Sequence, residues 1–188
     1  PRPVVTIQPQ VNKQMGIKIQ MKIFFGAAIQ GAHNREERAV VHRLIIDAAK
    51  RCGCEVVSEH TTGRDYDATA QLLEQSLGSL PPKGMERAVL IRNKMIEFIE
   101  GDIDAAVFEV STPSLGTGIE IAHAYLRPRL GLPGIPVITL YQKDYWPNNL
   151  STMIRGITAN EVSQFVLKEY DVPDDAEEFI SELLGRLG

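Results

Sequence analysis

The chain is poor in cysteine, in aromatic residues and in net charge, and each shortage excludes a class of protein. Cys52 and Cys54 are the only cysteines; at this spacing a disulfide would be strained, and no second Cys/His pair completes a zinc site. Aromatic residues make up 6% of the sequence and the formal net charge is −4, which argues against a nucleic-acid polymer as main partner. No apolar run approaches the roughly 20 residues of a membrane-spanning helix. We therefore expect a cytoplasmic protein that has no membrane partner and no metal.

The length and the apolar content are typical of one domain. The 188 residues are 44% hydrophobic, which is enough for a single core. Residues 1–20 are polar and rich in glutamine, and the globular pattern begins near Met21. The first segment is interpreted as an arm, an extra edge strand or an added extension. Residues 21–188 are predicted to form one α/β domain.

Strands and helices alternate along this domain. Strands are predicted at 22–26, 55–59, 104–110 and 136–141, and helices at about 35–52, 66–78, 86–100, 118–126, 160–169 and 174–186. Alternation of this kind implies a parallel sheet with helices on both faces. In a flavodoxin-like strand order, the first strand and the 104–110 strand flank the point where the order reverses. Ligands bind beyond the carboxyl ends of the strands at that point.

The loop after the 104–110 strand carries the most informative motif. Ser114, Gly116 and Gly118 offer a hydroxyl and exposed backbone N–H groups, which can hold a phosphate at the positive end of a helix. Glu120 is predicted in the first turn of that helix, with its carboxyl in the same crevice. Glutamate also favours a first turn because of the helix dipole alone, so both interpretations stay open.

Two motifs resemble those of the 2′-deoxynucleoside 5′-phosphate N-hydrolases, which belong with the nucleoside 2-deoxyribosyltransferases. They are EVSTPSLGTGIE at 109–120 and LSTMIRG at 150–156. The segment FFGAAIQG at 24–31 is similar to the family's first loop, and Glu59-His60 is similar to the end of its second strand. The similarity covers most of residues 21–157.

The resemblance implies an N-glycosidase that releases the base of a nucleotide without a cofactor. Glu120 would be the nucleophile that attacks C1′ and forms a glycosyl-enzyme intermediate. Ser114 and Gly116 would hold the 5′-phosphate, together with Ser151 of a neighbouring subunit, so a homodimer or higher homo-oligomer is expected. For His60, a structural hydrogen bond and a contact to the base both stay open. The substrate-binding set that the resemblance implies is Phe24, Ala28, Gln30, Gly31, His60, Ser114, Gly116, Gly118, Ser151 and Met153.

Three positions near the first strand depart from the family's pattern. Gln30 and Ala28 stand where the family has an arginine and a serine that contact phosphate. Phe24 stands where it has a tyrosine near the sugar. We therefore expect altered phosphate affinity and an altered preference between ribose and deoxyribose.

A fourth departure concerns the leaving base. Met95 stands where the family has an Asp or Asn that orients the nucleophile and helps to protonate the base. Asp65 and Asp67 are candidate substitutes. Hydrolysis of a nucleoside 5′-monophosphate is the leading hypothesis, and base exchange between deoxynucleosides is the alternative within the same superfamily. A nucleotide-binding module without turnover is the alternative that Met95 favours.

Overall fold

The structure is a computed structural model that describes residues 20–29, 34–145, 149–157 and 164–186. The predicted arm, apart from its last residue, lies outside the described residues, so its interpretation is unchanged. Within the described ranges, the chain forms one α/β domain built on one sheet.

The sheet consists of five parallel strands. They are β1 (Lys22–Ala27), β2 (Glu55–Val56), β3 (Ala105–Glu109), β4 (Val137–Gln142) and β5 (Phe165–Tyr170). The strand order is β2-β1-β3-β4-β5, and every neighbouring pair runs parallel. This is the flavodoxin-like order, so the predicted fold class is confirmed. β1 and β3 are adjacent, and their carboxyl ends flank the point where the order reverses.

Helices cover both faces of the sheet. They are α1 (Arg35–Arg51), α2 (Tyr66–Leu77), α3 (Met85–Glu100), α4 (Leu115–Tyr125), α5 (Thr152–Arg155) and α6 (Pro173–Gly185). α1 and α6 pack on one face, and α3 and α4 pack on the other. No helix among the described residues is both long and apolar enough to cross a membrane.

β1 and β3 are buried on both faces of the sheet, which explains their continuous apolar sequence. Successive side chains of a strand point to opposite faces. Phe25 and Val107 therefore pack towards α1 and α6, whereas Phe24 and Phe108 pack towards α3 and α4. By the same alternation Glu109, the last residue of β3, points to the α1 face. Glu109 and the helix α4 that follows β3 therefore lie on opposite faces of the sheet.

The structure corrects two of the predicted elements. The helix predicted at 160–169 is wrong: β5 occupies 165–170 and pairs with β4 along its whole length, while 160–163 lie outside the described residues. The apolar run at 165–167 is too short for periodicity to separate strand from helix, and the free edge of β4 decides the outcome. The second strand is also shorter than the predicted 55–59, because only two residues pair with β1.

Candidate active site

A cavity of about 710 Å³ opens at the carboxyl ends of β1 and β3. Its floor comes from Ala27 and Ile29 at the end of β1 and from the first turns of α4, and α2 and α3 form its walls. Among the residues predicted for the site, Glu120, His60, Ser114 and Gly116 all line this cavity. A crevice at this position is where a doubly wound sheet binds its ligands.

α4 begins earlier than the sequence predicted, and this changes the position of Glu120. Ser114 is the N-cap, and its Oγ accepts a hydrogen bond of 3.2 Å from the amide of Thr117. The helix therefore starts at Leu115 rather than near Gly118, because the serine cap satisfies an amide that would otherwise lack a partner. Glu120 lies in the second turn and not in the first. A preference of glutamate for the first turn therefore does not explain its presence.

Glu120 is a partly buried carboxyl in the floor of the cavity. Burial raises the pKa of this carboxyl to about 8, from an ordinary value of 4.5. Within the described ranges, no side chain donates a hydrogen bond to it and no cation pairs with it. The carboxyl of the free protein is therefore largely protonated at neutral pH. A ligand that brings positive charge to it would favour the ionised form.

Gly26 of β1 makes room for this carboxyl. A Cβ atom built on Gly26 would lie 2.8 Å from Oε2 of Glu120 and 2.7 Å from Cδ1 of Phe108. Both distances are below ordinary van der Waals contact, so a side chain at position 26 would displace one of these groups. The backbone of β1 and the nucleophile predicted on α4 are therefore in close contact.

His60 contributes a buried imidazole to the cavity. It begins the short 3₁₀ helix His60–Thr62 after β2, and its buried Nδ1 has no hydrogen-bond partner among the described residues. Burial, followed by the charges of Arg35 and His42, lowers its pKa to about 4, so the ring is neutral at pH 7. The 3₁₀ helix is held from α1, because His42 Nδ1 lies 3.1 Å from the carbonyl oxygen of Thr61. A fixed, neutral imidazole can bind a polar ligand group.

Asp65 and Asp67, the two candidate substitutes for the missing family carboxyl, have different environments. Asp65 is the N-cap of α2, and its Oδ1 accepts a hydrogen bond of 2.7 Å from the amide of Ala68. Asp67 lines the cavity. Met95 lines the same cavity but is 5% exposed and offers no acidic group. Only Asp67 of the two candidates is therefore in a position to reach a ligand.

A second cavity, of about 540 Å³, lies between α4 and α5. Four residues of the predicted binding set line it, namely Ser114, Gly118, Ser151 and Met153. Ser151 is the N-cap of α5, and its Oγ accepts a hydrogen bond of 3.3 Å from the amide of Met153. Leu115 and Met153 are 92% and 80% exposed, so an apolar surface flanks this cavity. Ser114 lines both cavities and lies between them.

Phe24 and Ala28, the remaining predicted residues that the structure describes, do not line either cavity. Phe24 is fully buried, with its ring centroid 5.9 Å from that of Phe108, and Ala28 is 2% exposed. Gln30 and Gly31 lie outside the described residues. The roles that the resemblance implies for these four positions stay predictions.

A buried charged cluster that was not predicted from the sequence lies on the opposite face of β3. Glu109 accepts hydrogen bonds from the amide and the hydroxyl of Ser111 and from the hydroxyl of Tyr170, the last at 3.0 Å. His42 Nε2 lies 3.5 Å from its second oxygen. Burial alone would raise the pKa of Glu109, but His42 and Arg38 outweigh burial and lower it. This cluster fixes the end of β3 against α1 and β5. A glutamate at the end of an apolar strand was its only signal in the sequence.

Comparison with known proteins identifies the family. No protein-family profile matches the chain. It is 32% identical over 164 residues to "Putative 2′-deoxynucleoside 5′-phosphate N-hydrolase 1" of Thermofilum pendens, which covers 87% of this chain and 95% of that protein. It is 33% identical over 172 residues to the protein of the same name from Nematostella vectensis, covering 90% of this chain and 100% of the relative. A Tetraodon nigroviridis protein named 5-hydroxymethyl-dUMP N-hydrolase is 26% identical over 162 residues, or 86% of this chain and 96% of that protein. The resemblance drawn from the sequence motifs is thus confirmed at the level of the family, and the chain belongs to the 2′-deoxynucleoside 5′-phosphate N-hydrolases.

Proposed function

We propose that this protein hydrolyses the N-glycosidic bond of a 2′-deoxynucleoside 5′-monophosphate, with Glu120 as the nucleophile. The observation that carries the proposal is that the Glu120 carboxyl faces the same cavity as Ser114 and Gly116 at the start of α4. The proposed nucleophile and a helix N-terminus suited to bind a phosphate therefore line the same cavity. The names of the relatives support a substrate of this class.

The proposed reaction has two steps at C1′ of the sugar. In the first, the ionised Glu120 carboxylate forms a bond to C1′, and the bond from C1′ to the base nitrogen breaks with its electron pair on the base. The base takes up a proton and leaves. In the second, water attacks C1′ and loses a proton, and the bond to Glu120 breaks, which releases 2-deoxyribose 5-phosphate and regenerates the carboxylate. Positive charge that develops on the sugar stabilises the carboxylate and offsets the effect of its burial.

Asp67 supplies the proton to the leaving base in this proposal. It lines the cavity, whereas Asp65 is occupied as a helix cap and Met95 has no proton to give. Neutral His60 binds a polar edge of the base. The ring of Tyr66, which is 62% exposed at the cavity, offers a flat surface for it.

A substrate panel tests the proposed function directly. Each 2′-deoxynucleoside 5′-monophosphate is incubated with the protein, with and without a second free base, and the products are separated by chromatography. We expect free base and 2-deoxyribose 5-phosphate in equal amounts, and no new nucleotide when the second base is present. Formation of a new nucleotide would instead favour base exchange. Binding of the nucleotide without release of base would favour a non-catalytic module.

A second copy of the chain completes the phosphate site in this proposal, with Ser151 reaching the neighbouring subunit's cavity. Ser151 is exposed beside the apolar side chains of Leu115 and Met153, a surface composition that suits a subunit contact. Ile119, on the same helix as Leu115, is 53% exposed and extends this surface. Burial of these side chains in a homodimer would bring the α5 N-cap of one subunit close to the α4 N-terminus of the other.

Complementation between inactive chains tests the shared site. Glu120→Ala and Ser151→Ala are each expected to be severely impaired as homodimers. A mixed dimer has one site with both residues intact, so mixing the two after subunit exchange should restore part of the activity. A mixture of Glu120→Ala with Glu120→Gln is the control, because no site in it recovers the carboxylate. Full activity of a strictly monomeric wild-type protein would contradict the shared site.

A further inference from the structure

The basic side chains of the first cavity all come from one short segment. Of the described residues that line it, Lys83, Arg87 and Arg92 are the lysines and arginines, and all three lie at or just before the first half of α3. The first loop, residues 30–33, reads QGAH and contains neither residue type. Among the described lining residues, the lysine and arginine side chains therefore come from the α3 wall, whereas the Arg35 guanidinium of α1 lies behind the lining and donates hydrogen bonds to Ile29 and Thr69.

Two of these cations have no carboxylate partner within the described ranges. Arg87 lies 3.8 Å from Glu74 of α2, which partly compensates its charge. Arg92 donates a hydrogen bond of 3.1 Å to the neutral side-chain amide of Asn93, and neither it nor Lys83 forms an ion pair within the described part of the chain. Two uncompensated cations at a concave wall attract an anion.

Arg92 lies near the level of the α4 N-terminus. α3 ends where β3 begins and α4 begins after β3 ends, so both helices run from the carboxyl edge of the sheet to its amino edge. Their alignment is fixed by His123 of α4, whose Nδ1 lies 2.7 Å from Glu100 of α3. Leu115 precedes His123 by eight residues, and Arg92 precedes Glu100 by eight residues. Each therefore lies about 12 Å nearer the N-terminus of its own helix. Arg92 and the start of α4 thus border the same part of the cavity.

The start of α4 has backbone donors free for a ligand. Ser114 occupies two amides of the first turn, because its Oγ accepts from Thr117 and its carbonyl oxygen from Gly118. The amides of Leu115 and Gly116 have no acceptor among the described residues. His60 lines the same cavity, and its buried Nδ1 also lacks a partner in the described part of the chain. The unsatisfied donors at the helix start and the uncompensated cations are complementary to one anionic group.

We propose that Arg92, assisted by Lys83, binds the 5′-phosphate of the substrate against the N-terminus of α4. In this way the α3 side of the cavity supplies the positive charge of the arginine that the family has at the position of Gln30. A phosphate monoester carries close to two negative charges at neutral pH, which matches one guanidinium and one ammonium group. The inference rests on the proposed function, since it identifies how the same site distinguishes a nucleotide from a nucleoside.

The test compares Arg92→Met with Lys94→Met. Both substitutions remove one positive charge from α3, but Lys94 pairs with Glu97 at 2.6 Å and does not line the cavity. We expect Arg92→Met to raise the KM of a 2′-deoxynucleoside 5′-monophosphate at least about tenfold more than that of the matching nucleoside. Arg92→Lys should recover part of the difference. Lys94→Met should leave both KM values within about twofold of wild type.

A binding measurement separates this inference from the proposed reaction. Calorimetric titration of Glu120→Gln with the same nucleotide, with and without Arg92→Met, measures affinity without turnover. Weaker nucleotide binding on loss of Arg92 would support the inference even if the wild type released no base. Equal losses for nucleotide and nucleoside, or an effect no larger than that of Lys94→Met, would overturn it while leaving a hydrolase with Glu120 as nucleophile intact.

Discussion

Replacing Glu120 by glutamine should lower the rate of base release by about three orders of magnitude or more, while the protein stays folded. Glutamine has nearly the same shape but lacks the carboxylate that bonds to C1′. Because no described side chain hydrogen-bonds to Glu120, the exchange leaves no protein donor without a partner. The measurement is free base released per unit time, and circular dichroism reports the fold. Glu97→Gln, which changes an exposed carboxyl on α3, is the matched control and should retain full activity.

The wild-type pH profile gives the same hypothesis a second, independent test. Since burial raises the pKa of Glu120 to about 8, the ionised nucleophile is a minor form of the free enzyme at pH 6. kcat/KM should therefore rise from pH 6 through pH 8 and level off about one pH unit above the pKa, at about pH 9. Turnover by folded Glu120→Gln close to that of wild type would refute Glu120 as nucleophile. A kcat/KM that stays constant between about pH 6 and pH 9 would contradict attack by a carboxylate whose pKa is raised to about 8.

Asp67→Asn should lower kcat by about two orders of magnitude with a much smaller change in KM. The amide keeps the size of the side chain but has no acidic proton for the leaving base. Asp65→Asn is the control, because it removes the same charge two residues away. Asparagine is also an effective N-cap, so α2 should keep its start and kcat should stay near that of wild type.

The identity of the leaving base distinguishes proton donation from simple positioning. A base whose anion is stable needs little protonation as it leaves, so its release should be less sensitive to Asp67→Asn than release of an ordinary pyrimidine. If both substrates lost the same factor, Asp67 would not be the acid. If Asp65→Asn produced the larger loss of kcat with the helix intact, the assignment of the two carboxyls would be reversed.

The parts of the fold that depend on local signals could be predicted from the sequence. The alternation of strands and helices gave the flavodoxin-like order, and the small residues after β3 located the cavity. β5 was predicted as a helix because hydrophobic periodicity does not show that this segment pairs with the edge of β4. The start of α4 was misplaced because Gly116 and Gly118 weaken a helical pattern, whereas the Ser114 cap and tertiary packing decide the boundary.

The chemistry of the site was only partly predictable for a related reason. Glu120 and Ser114 belong to one continuous motif, so they could be identified together. Arg92 and Asp67 come to the cavity from separate helices. Asp67 could be named from the sequence only as one of two candidates, and no spacing relates Arg92 to Glu120. The partnership between Glu109 and Tyr170 spans 61 residues and forms only when β5 closes the sheet. Contacts between residues so far apart in the sequence can be identified only from the folded structure.

For redesign of substrate specificity, the two sides of the cavity differ in how far they can be changed. The β1 side tolerates no substitution at its closest contact with the proposed nucleophile, whereas the opposite side can be varied. No side chain can be introduced at Gly26 without displacing Glu120 or Phe108, so a library that varies this position should recover glycine alone. The opposite wall belongs to residues 66–96, a continuous stretch encoded between β2 and β3. Such a stretch can be exchanged as a cassette with that of a relative while the strands and α4 are kept.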